Sequence, residues 1–280
     1  MLLLLSCTAS SPEGAPSAET ADPDATCNGS SALCDRPLSA VAFVGTHNSM
    51  SSAEREWLFP NQNDAVPAQL ANGVRALNLD THAWEDELWL CHGYCELGSQ
   101  PLVEGFAEIT AFLTDRPDEV VILTLQDGIS GEETRAALTE AGLAERAYTH
   151  TTGQPWPTLG ELIAQDQRVV IFSASGGGVD WHHSQWEHWI DVPYSAESIE
   201  DFACTDDRGD PATATLYNIN HFLTSPLASL ELATEANALP VIEGHVADCQ
   251  EASGRFPNQV LVDFYDIGAA QAVVDSLNAP

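Results

Sequence analysis

Seven stretches of the chain are short, apolar and rich in β-branched residues, with turn residues on either side. They cover residues 41–45, 74–79, 88–91, 120–125, 168–172, 215–219 and 260–265. Runs of this kind read as strands buried on both faces, as in a parallel sheet. Helical patterns lie between some of them. Residues 104–113 place Phe106, Ile109 and Leu113 on one face, and residues 132–141 are rich in Glu and Ala. Thr158 is an N-cap candidate for a helix over 158–164, with Glu161 at the capping-box position. A helix over 226–238 would start at Pro226, which suits a first turn. Strands alternating with helices predict an α/β fold with a parallel sheet. Seven or eight strands in one domain fit a closed, irregular TIM-type (β/α) barrel. A doubly wound open sheet is the alternative, but the chain lacks a Gly-rich dinucleotide turn. No repeat or linker interrupts residues 35–280, so they are expected to form one domain.

Polar residues gather where these strands end. The first ends Gly45-Thr46-His47-Asn48-Ser49, the second Asn78-Leu79-Asp80-Thr81-His82, the third Cys91-His92-Gly93 and the fourth Gln126-Asp127-Gly128. In a parallel barrel the C-terminal ends of the strands meet at one mouth, where active sites are built. One polar residue at a strand exit has no functional weight; four successive exits carrying His, Asn, Asp and Gln predict a site. Asp263 and Tyr265 alternate on the last strand, so both are expected to face that mouth, with Asp263 placed to orient His47.

The segments Gly45-Thr46-His47-Asn48-Ser49, Gly73 to Asp80, Leu90-Cys91-His92-Gly93 and Val121 to Gln126 resemble, in order and spacing, the X-domain of phosphatidylinositol-specific phospholipase C. Residues 216–221 and 257–265 are similar to the closing strands of bacterial secreted relatives, so the resemblance covers roughly residues 38–278. It implies an irregular TIM-type barrel and cleavage of a phospholipid-type phosphodiester. It places His47 at the family's first catalytic histidine and His92 at the general acid. Imidazole suits both tasks because it titrates near working pH. Metal-independent members carry an Arg on the second strand. Asn48 and Asp80 make this chain similar to the calcium-dependent type instead. That type typically has acidic residues where Asn78 and Gln126 stand here. Carbonyl oxygens still ligate a hard cation, so Asn48, Asn78, Asp80 and Gln126, with Asp127 in reserve, are the expected ligands of a weakly bound Ca²⁺. Arg75 and Tyr265 are the remaining candidates for contact with substrate.

Charge narrows the partners. The chain of 280 residues has 42 acidic and 9 basic side chains, a formal charge of −33, and no lysine. That excludes Schiff-base and P-loop lysine chemistry, and phosphate repulsion argues against nucleic acid. It also argues against long-range attraction to anionic membranes. A monomer is expected.

Met1-Leu2-Leu3-Leu4-Leu5-Ser6-Cys7 resembles the end of a bacterial lipoprotein signal, with Cys7 as the lipidation site. The expected organisation is a partial signal segment over 1–6, a flexible tether and small Cys loop over 7–34, and the barrel over 35–280. This implies an exported protein, secreted or anchored in the cell envelope. Removing Cys7 from the seven cysteines leaves an even set, and Cys27–Cys34, Cys91–Cys95 and Cys204–Cys249 are the expected disulfides.

The segment from Trp181 to Trp189 carries three His and three Trp. Its readings are a long loop packed on the barrel, an interfacial aromatic rim in peripheral contact with a membrane, or a metal cluster. His221 is expected to be structural, and neither Ser6 nor Ser49 has a triad around it. Two other functions compete with phospholipid cleavage: a non-catalytic binding lipoprotein of the same fold, and a phosphodiesterase acting on glycerophosphodiesters or sphingolipids.

Overall fold

A computed structural model describes residues 25–177 and 180–280. Strands β1 (Phe43–Thr46), β2 (Ala76–Trp84), β5 (Val121–Gly128), β6 (Val169–Ser173), β7 (His182–Ser184), β8 (Trp189–Asp191), β9 (Leu216–Asn220) and β10 (Gln259–Val262) form one parallel sheet. β3 (Glu87–Leu90) and β4 (Gln100–Pro101) are antiparallel additions to β2. The order β7-β6-β5-β2-β1-β10-β9-β8 curls into an irregular TIM-type barrel. It is open where the sequence predicts a closed barrel: among the described residues no ladder joins β7 to β8, and the four-residue helix α5 (Gln185–His188) connects them instead.

Two strand assignments change. Residues 88–91 form a hairpin strand beside β2, not a barrel strand. The segment rich in Trp and His supplies β7, α5 and β8 rather than a loop. Its apolar residues are too few and too interrupted by imidazoles to read as strands. Trp181 and Trp189 are buried, so they form no interfacial rim.

Helices α1 (Val66–Ala71), α2 (Leu102–Asp115), α3 (Gly131–Glu140), α4 (Leu159–Ala164), α6 (Leu230–Ala236), α7 (Leu239–Ser253) and α8 (Ala270–Leu277) complete the fold. The Thr158–Glu161 capping box opens α4 as expected. The helix expected from Pro226 begins later, capped by the Ser229 side chain, and the 15-residue α7 follows it.

Alternation along the strands divides the core. Leu77, Leu79, Leu123, Leu125, Ile171, Val260 and Val262 face outward and pack in the larger core cluster with helix residues such as Phe106 and Ile109. The other face points inward, and its character changes along each strand. Ile122 is followed by Thr124 and Gln126, Ala76 by Asn78 and Asp80, and Leu216 by Asn218 and Asn220. The N-terminal half of the barrel is therefore plugged, by Phe43, Ile122, Phe172, Trp156 and Trp189 among others. Three imidazoles join that plug. His150 stacks on Trp156 at 3.7 Å, and the His183 ring receives the His150 backbone N–H. His188 meets both edge-on. The C-terminal half is polar.

All three expected disulfides are present. The Cys27–Cys34 loop, expected from the sequence to belong to the tether, packs against the barrel: Asn28 exchanges side-chain hydrogen bonds with the backbone of Val120. Cys7 and residues 1–6 lie outside the described residues.

Burial holds His150 and His188 in the plug, and His245 of α7 with its partner His221, in the neutral form. Their pKa values are lowered to about 4, 4, 3 and 4 respectively, chiefly by desolvation. The unfolded chain takes up these protons near pH 6.5, whereas the folded protein does so only below about 4. Stability should thus be fully present above pH 6.5 and fall steadily toward pH 4, by on the order of several kcal/mol. Urea unfolding at pH 7, 5.5 and 4.5 measures it; an unchanged unfolding free energy would contradict the buried neutral imidazoles.

Candidate active site

His47 leaves the end of β1 with its backbone N–H donating to Val262 O of β10 at 3.0 Å. Its Nδ1 lies 3.0 Å from Asp263 Oδ1. A carboxylate acceptor places the proton on Nδ1 and leaves Nε2 as an acceptor, the tautomer of a general base. Three further contacts hold this unit. Asn61 Nδ2 donates to Asp263 Oδ1 at 3.0 Å, Gln62 Nε2 donates to His47 O at 2.8 Å, and the Phe222 ring stacks on the imidazole at 3.9 Å.

Asn48 couples the two histidines. Its Nδ2 lies 3.1 Å from His47 Nε2 and 3.3 Å from His92 Nε2, so both imidazoles accept from one amide. Its backbone is in the left-handed region at φ 47°, a conformation Asn tolerates better than most residues. His92 stands on the loop after β3, closed by the Cys91–Cys95 disulfide. The rim of its ring is open to solvent, but the atoms around it desolvate the charged form. That burial lowers its pKa; the His47 charge lowers it further, Asp263 opposes, and His82 adds a small lowering.

Asn78, Asp80 and Gln126 project into the same mouth. Asp80 pairs in register with Gln126 across β2 and β5, and Asn78 lies two residues earlier on the same face. Asp80 is buried, its Oδ1 has no hydrogen-bond partner, and its pKa rises to about 7 through desolvation, offset in part by His47. An orphaned buried carboxyl amid amide carbonyls is a donor set that fits a hard cation.

Three sequence expectations fail at this mouth. Asp127 sits one residue past Gln126, so alternation turns it to the outer face, where His182 Nε2 lies 3.2 Å away and Ser173 donates to it. Arg75 stands at the other end of β2. Its guanidinium bonds Glu119 at 2.7 Å and the carbonyls of Leu70 and Val74, out of reach of substrate at the mouth. Tyr265 would share a face with Asp263 in a regular strand. Phe264 adopts φ 46°, which ends the alternation and sends the Tyr265 hydroxyl to Asp64 and Asn72.

Some site residues escape sequence reasoning. Beyond His47 and Gln126 the mouth opens into a polar cavity of about 210 Å³ whose far wall is Asp191, Tyr194, Arg208, Asn218 and Asn220. Arg208 is held by Asp191 through Nε and Nη2, between the rings of Trp186 at 4.4 Å and Tyr194 at 4.3 Å. The inward spacing of Asn218 and Asn220 is a signal present in the sequence; nothing local marks Arg208, Asn61 or Gln62.

Residues outside the mouth are structural. Ser49 Oγ is occupied by Thr46 O and by the Asn78 N–H. His221 is buried against His245 and Ala236 O. Cys204, His245 and Cys249 cluster with metal-ligand spacing, but the two sulfurs are joined to each other and offer no thiolate.

Comparison with known proteins agrees with this architecture. The PI-PLC X family model, described as PI-PLC X 1, matches residues 33–278, and the chain belongs to that family. A PI-PLC X domain-containing protein of Arabidopsis thaliana is 27% identical over 271 residues, covering 87% of this chain and 63% of that protein. An uncharacterized secreted protein of Arthroderma benhamiae is 28% identical, covering 86% of this chain and 60% of the other. The chain thus spans less than two thirds of either relative's length. The PI-PLC X domain-containing protein 1 of the same fungus is 29% identical, covering 88% and 87%. Phosphatidylinositol-specific phospholipase C from Staphylococcus aureus shares the fold, with a TM-score of 0.63 and 16% identity over 87% of this chain and 94% of that one.

The pairing of the two imidazoles yields a direct test. In an NMR titration His92 should titrate below its ordinary value of 6.5, and its pKa should rise when the neighbouring charge is removed in His47→Ala. A His92 that titrates at or above 6.5 in the parent protein would contradict the coupling.

Proposed function

We propose that this protein is a phosphoric diester hydrolase that cleaves a phospholipid-type, phosphatidylinositol-like diester by acid–base catalysis between His47 and His92. The observation that carries the reading is the Asp263–His47 bond on Nδ1, with Nε2 facing His92 across Asn48. His47 Nε2 takes the proton from a head-group hydroxyl as that oxygen attacks phosphorus. The bond from phosphorus to the lipid alcohol breaks, and the departing oxygen receives the proton carried by His92. Asp263 stabilises the imidazolium formed on His47 and holds its ring in place. A non-catalytic binding role would give no use to His47 oriented by a buried carboxylate and facing a second imidazole.

A divalent cation, Ca²⁺ by its oxygen donors, would be held by Asp80 with the carbonyls of Asn48, Asn78 and Gln126, and would supply positive charge toward the phosphate. The polar cavity suits the head group: Arg208 supplies donors at its wall, and the buried Asn218 Oδ1 is an acceptor without a protein partner. Three disulfides support an exported protein, in keeping with the secreted relative. Anchoring through Cys7 would keep it at the envelope.

His47→Ala and His92→Ala should each lower turnover of a phosphatidylinositol substrate by about 10²–10⁴-fold with the fold intact by circular dichroism. Parent-like turnover in a folded His92→Ala protein would refute the assignment.

Calcium should bind in the millimolar range, roughly 10⁻⁴–10⁻³ M, because Asp80 alone supplies formal charge. Calorimetry should detect that binding in the parent and not in Asp80→Asn, and chelator should suppress turnover. Full turnover in chelator together with no calcium heat would remove the cation from this reading.

A further inference from the structure

The two imidazoles are held in unlike ways. His47 follows directly on β1 and is gripped by Asp263, Phe222 and Gln62. His92 has left its strand: the ladder between β2 and β3 ends at the Thr81–Leu90 pair, two residues before it. Its ring meets the Asn48 amide at 3.3 Å, a long hydrogen bond. His92, Gly93 and Tyr94 are exposed in succession. Exposed loops with few packed contacts belong to the least stable parts of a fold. A general acid tolerates little of that freedom, because a misplacement of about 1 Å costs on the order of 10²-fold in rate.

Covalent chemistry supplies the missing constraint. Cys91 and Cys95 flank the exposed triplet, are both buried and are joined to each other. The chain reverses at Gly93, where φ is 69°, and the two Cα atoms lie 5.1 Å apart. Cys91 N–H donates to Asp80 O at 3.3 Å, and Tyr94 N–H to His92 O at 2.9 Å. Leu97 O accepts from the Leu58 N–H at 2.8 Å, which ties the far end to the loop after β1. The other two disulfides serve other places. Cys27–Cys34 closes the loop held against Val120 beside β5, and Cys204–Cys249 links the loop after β8 to α7.

We propose that the Cys91–Cys95 bond is a positioning element of the catalytic apparatus, and that it makes cleavage conditional on oxidising surroundings. This rests on the diesterase reading of His92. Forming the bond takes two electrons and two protons from the Cys91 and Cys95 thiols; a disulfide-bearing oxidant accepts them and leaves as two thiols. A chain that is still reduced carries His92 on an open loop and does not hold the acid against the departing lipid oxygen. It therefore spares the diesters of the compartment where it is made, and oxidation after export completes the site. Both cysteines are buried, so the finished bond is screened from dissolved thiols.

Cys91→Ala/Cys95→Ala reproduces the unlinked loop and leaves the other two bonds in place. With phosphatidylinositol as substrate its kcat should fall by about 10–10²-fold, while KM stays within about twofold because the polar cavity is untouched. Exchange of the Tyr94 amide hydrogen should quicken by about tenfold or more, and that of the β5 amides should not change. Cys27→Ala/Cys34→Ala, which removes a bond remote from the mouth, should retain the parent kcat. If the first variant does not fold by circular dichroism, Cys91→Val/Cys95→Ala, which refills the more deeply buried position, is measured in its place. Parent-like kcat in the folded variant, an equal loss on removing Cys27–Cys34, a change confined to KM, or unchanged exchange at Tyr94 would overturn the proposal. An oxidised parent without turnover of phosphatidylinositol would sink the diesterase reading first, and the proposal with it, whatever Tyr94 shows.

Discussion

The register between β1 and β10 is the constraint on which the site depends. Thr46 pairs with Val262, so the next residue of each strand, His47 and Asp263, meets at the mouth. A slip of one residue would turn Asp263 to the outer face and leave the His47 ring without its acceptor. The register is enforced by burial on both faces. Val260 and Val262 must pack outward against the helices, while Gln259 and Leu261 face the interior. Gln62 ties the pairing from the loop side, donating to both His47 O and Val262 O and accepting from the Tyr265 N–H.

From that register follows a barrel with two unlike halves. Its lower half is filled with buried aromatic and imidazole rings, which makes it sensitive to acid. Its upper half contains amides, carboxyls and imidazoles that satisfy one another only in part: Asp80 Oδ1, Asp263 Oδ2 and Asn218 Oδ1 are buried without partners. Unsatisfied groups of this kind cost stability and are retained where a ligand completes them. The mouth then divides again at His47, with polar walls on one side and apolar walls on the other.

Much of this architecture is legible in the amino-acid pattern. The runs at 41–45, 120–125 and 260–265 lie on barrel strands because strands buried on both faces must be apolar throughout. His47, Asn78, Asp80 and Gln126 reach the mouth because alternation and strand direction together determine where a residue at a strand end points. Nearness to a strand exit points to Asp127 and Tyr265, and positive charge alone to Arg75, yet local geometry keeps each away from the mouth. Asp127 has the wrong parity, Arg75 is at the wrong end of its strand, and Tyr265 follows the left-handed Phe264. β7 and β8 are hidden in the sequence because His182, His183 and His188 interrupt their apolar pattern; His183 and His188 are accommodated by ring contacts in the plug, and His182 by Asp127 on the outer face.

By itself the sequence determined the fold class, the two local disulfides Cys27–Cys34 and Cys91–Cys95 and the polar strand exits, and its resemblance to the family marked the pair His47 and His92. The first three depend on patterns within short segments, where periodicity and residue chemistry act locally, whereas Cys204–Cys249 spans 45 residues and the fold brings it together. Tertiary structure alone decided that the barrel stays open between β7 and β8, that Asn48 bridges both histidines, and that Asn61, Gln62, Phe222 and Arg208 belong to the site. Those residues come from loops and strands far apart in the chain. Their positions follow from which backbones the packed barrel brings within a hydrogen bond of each other, and no local pattern encodes that distance.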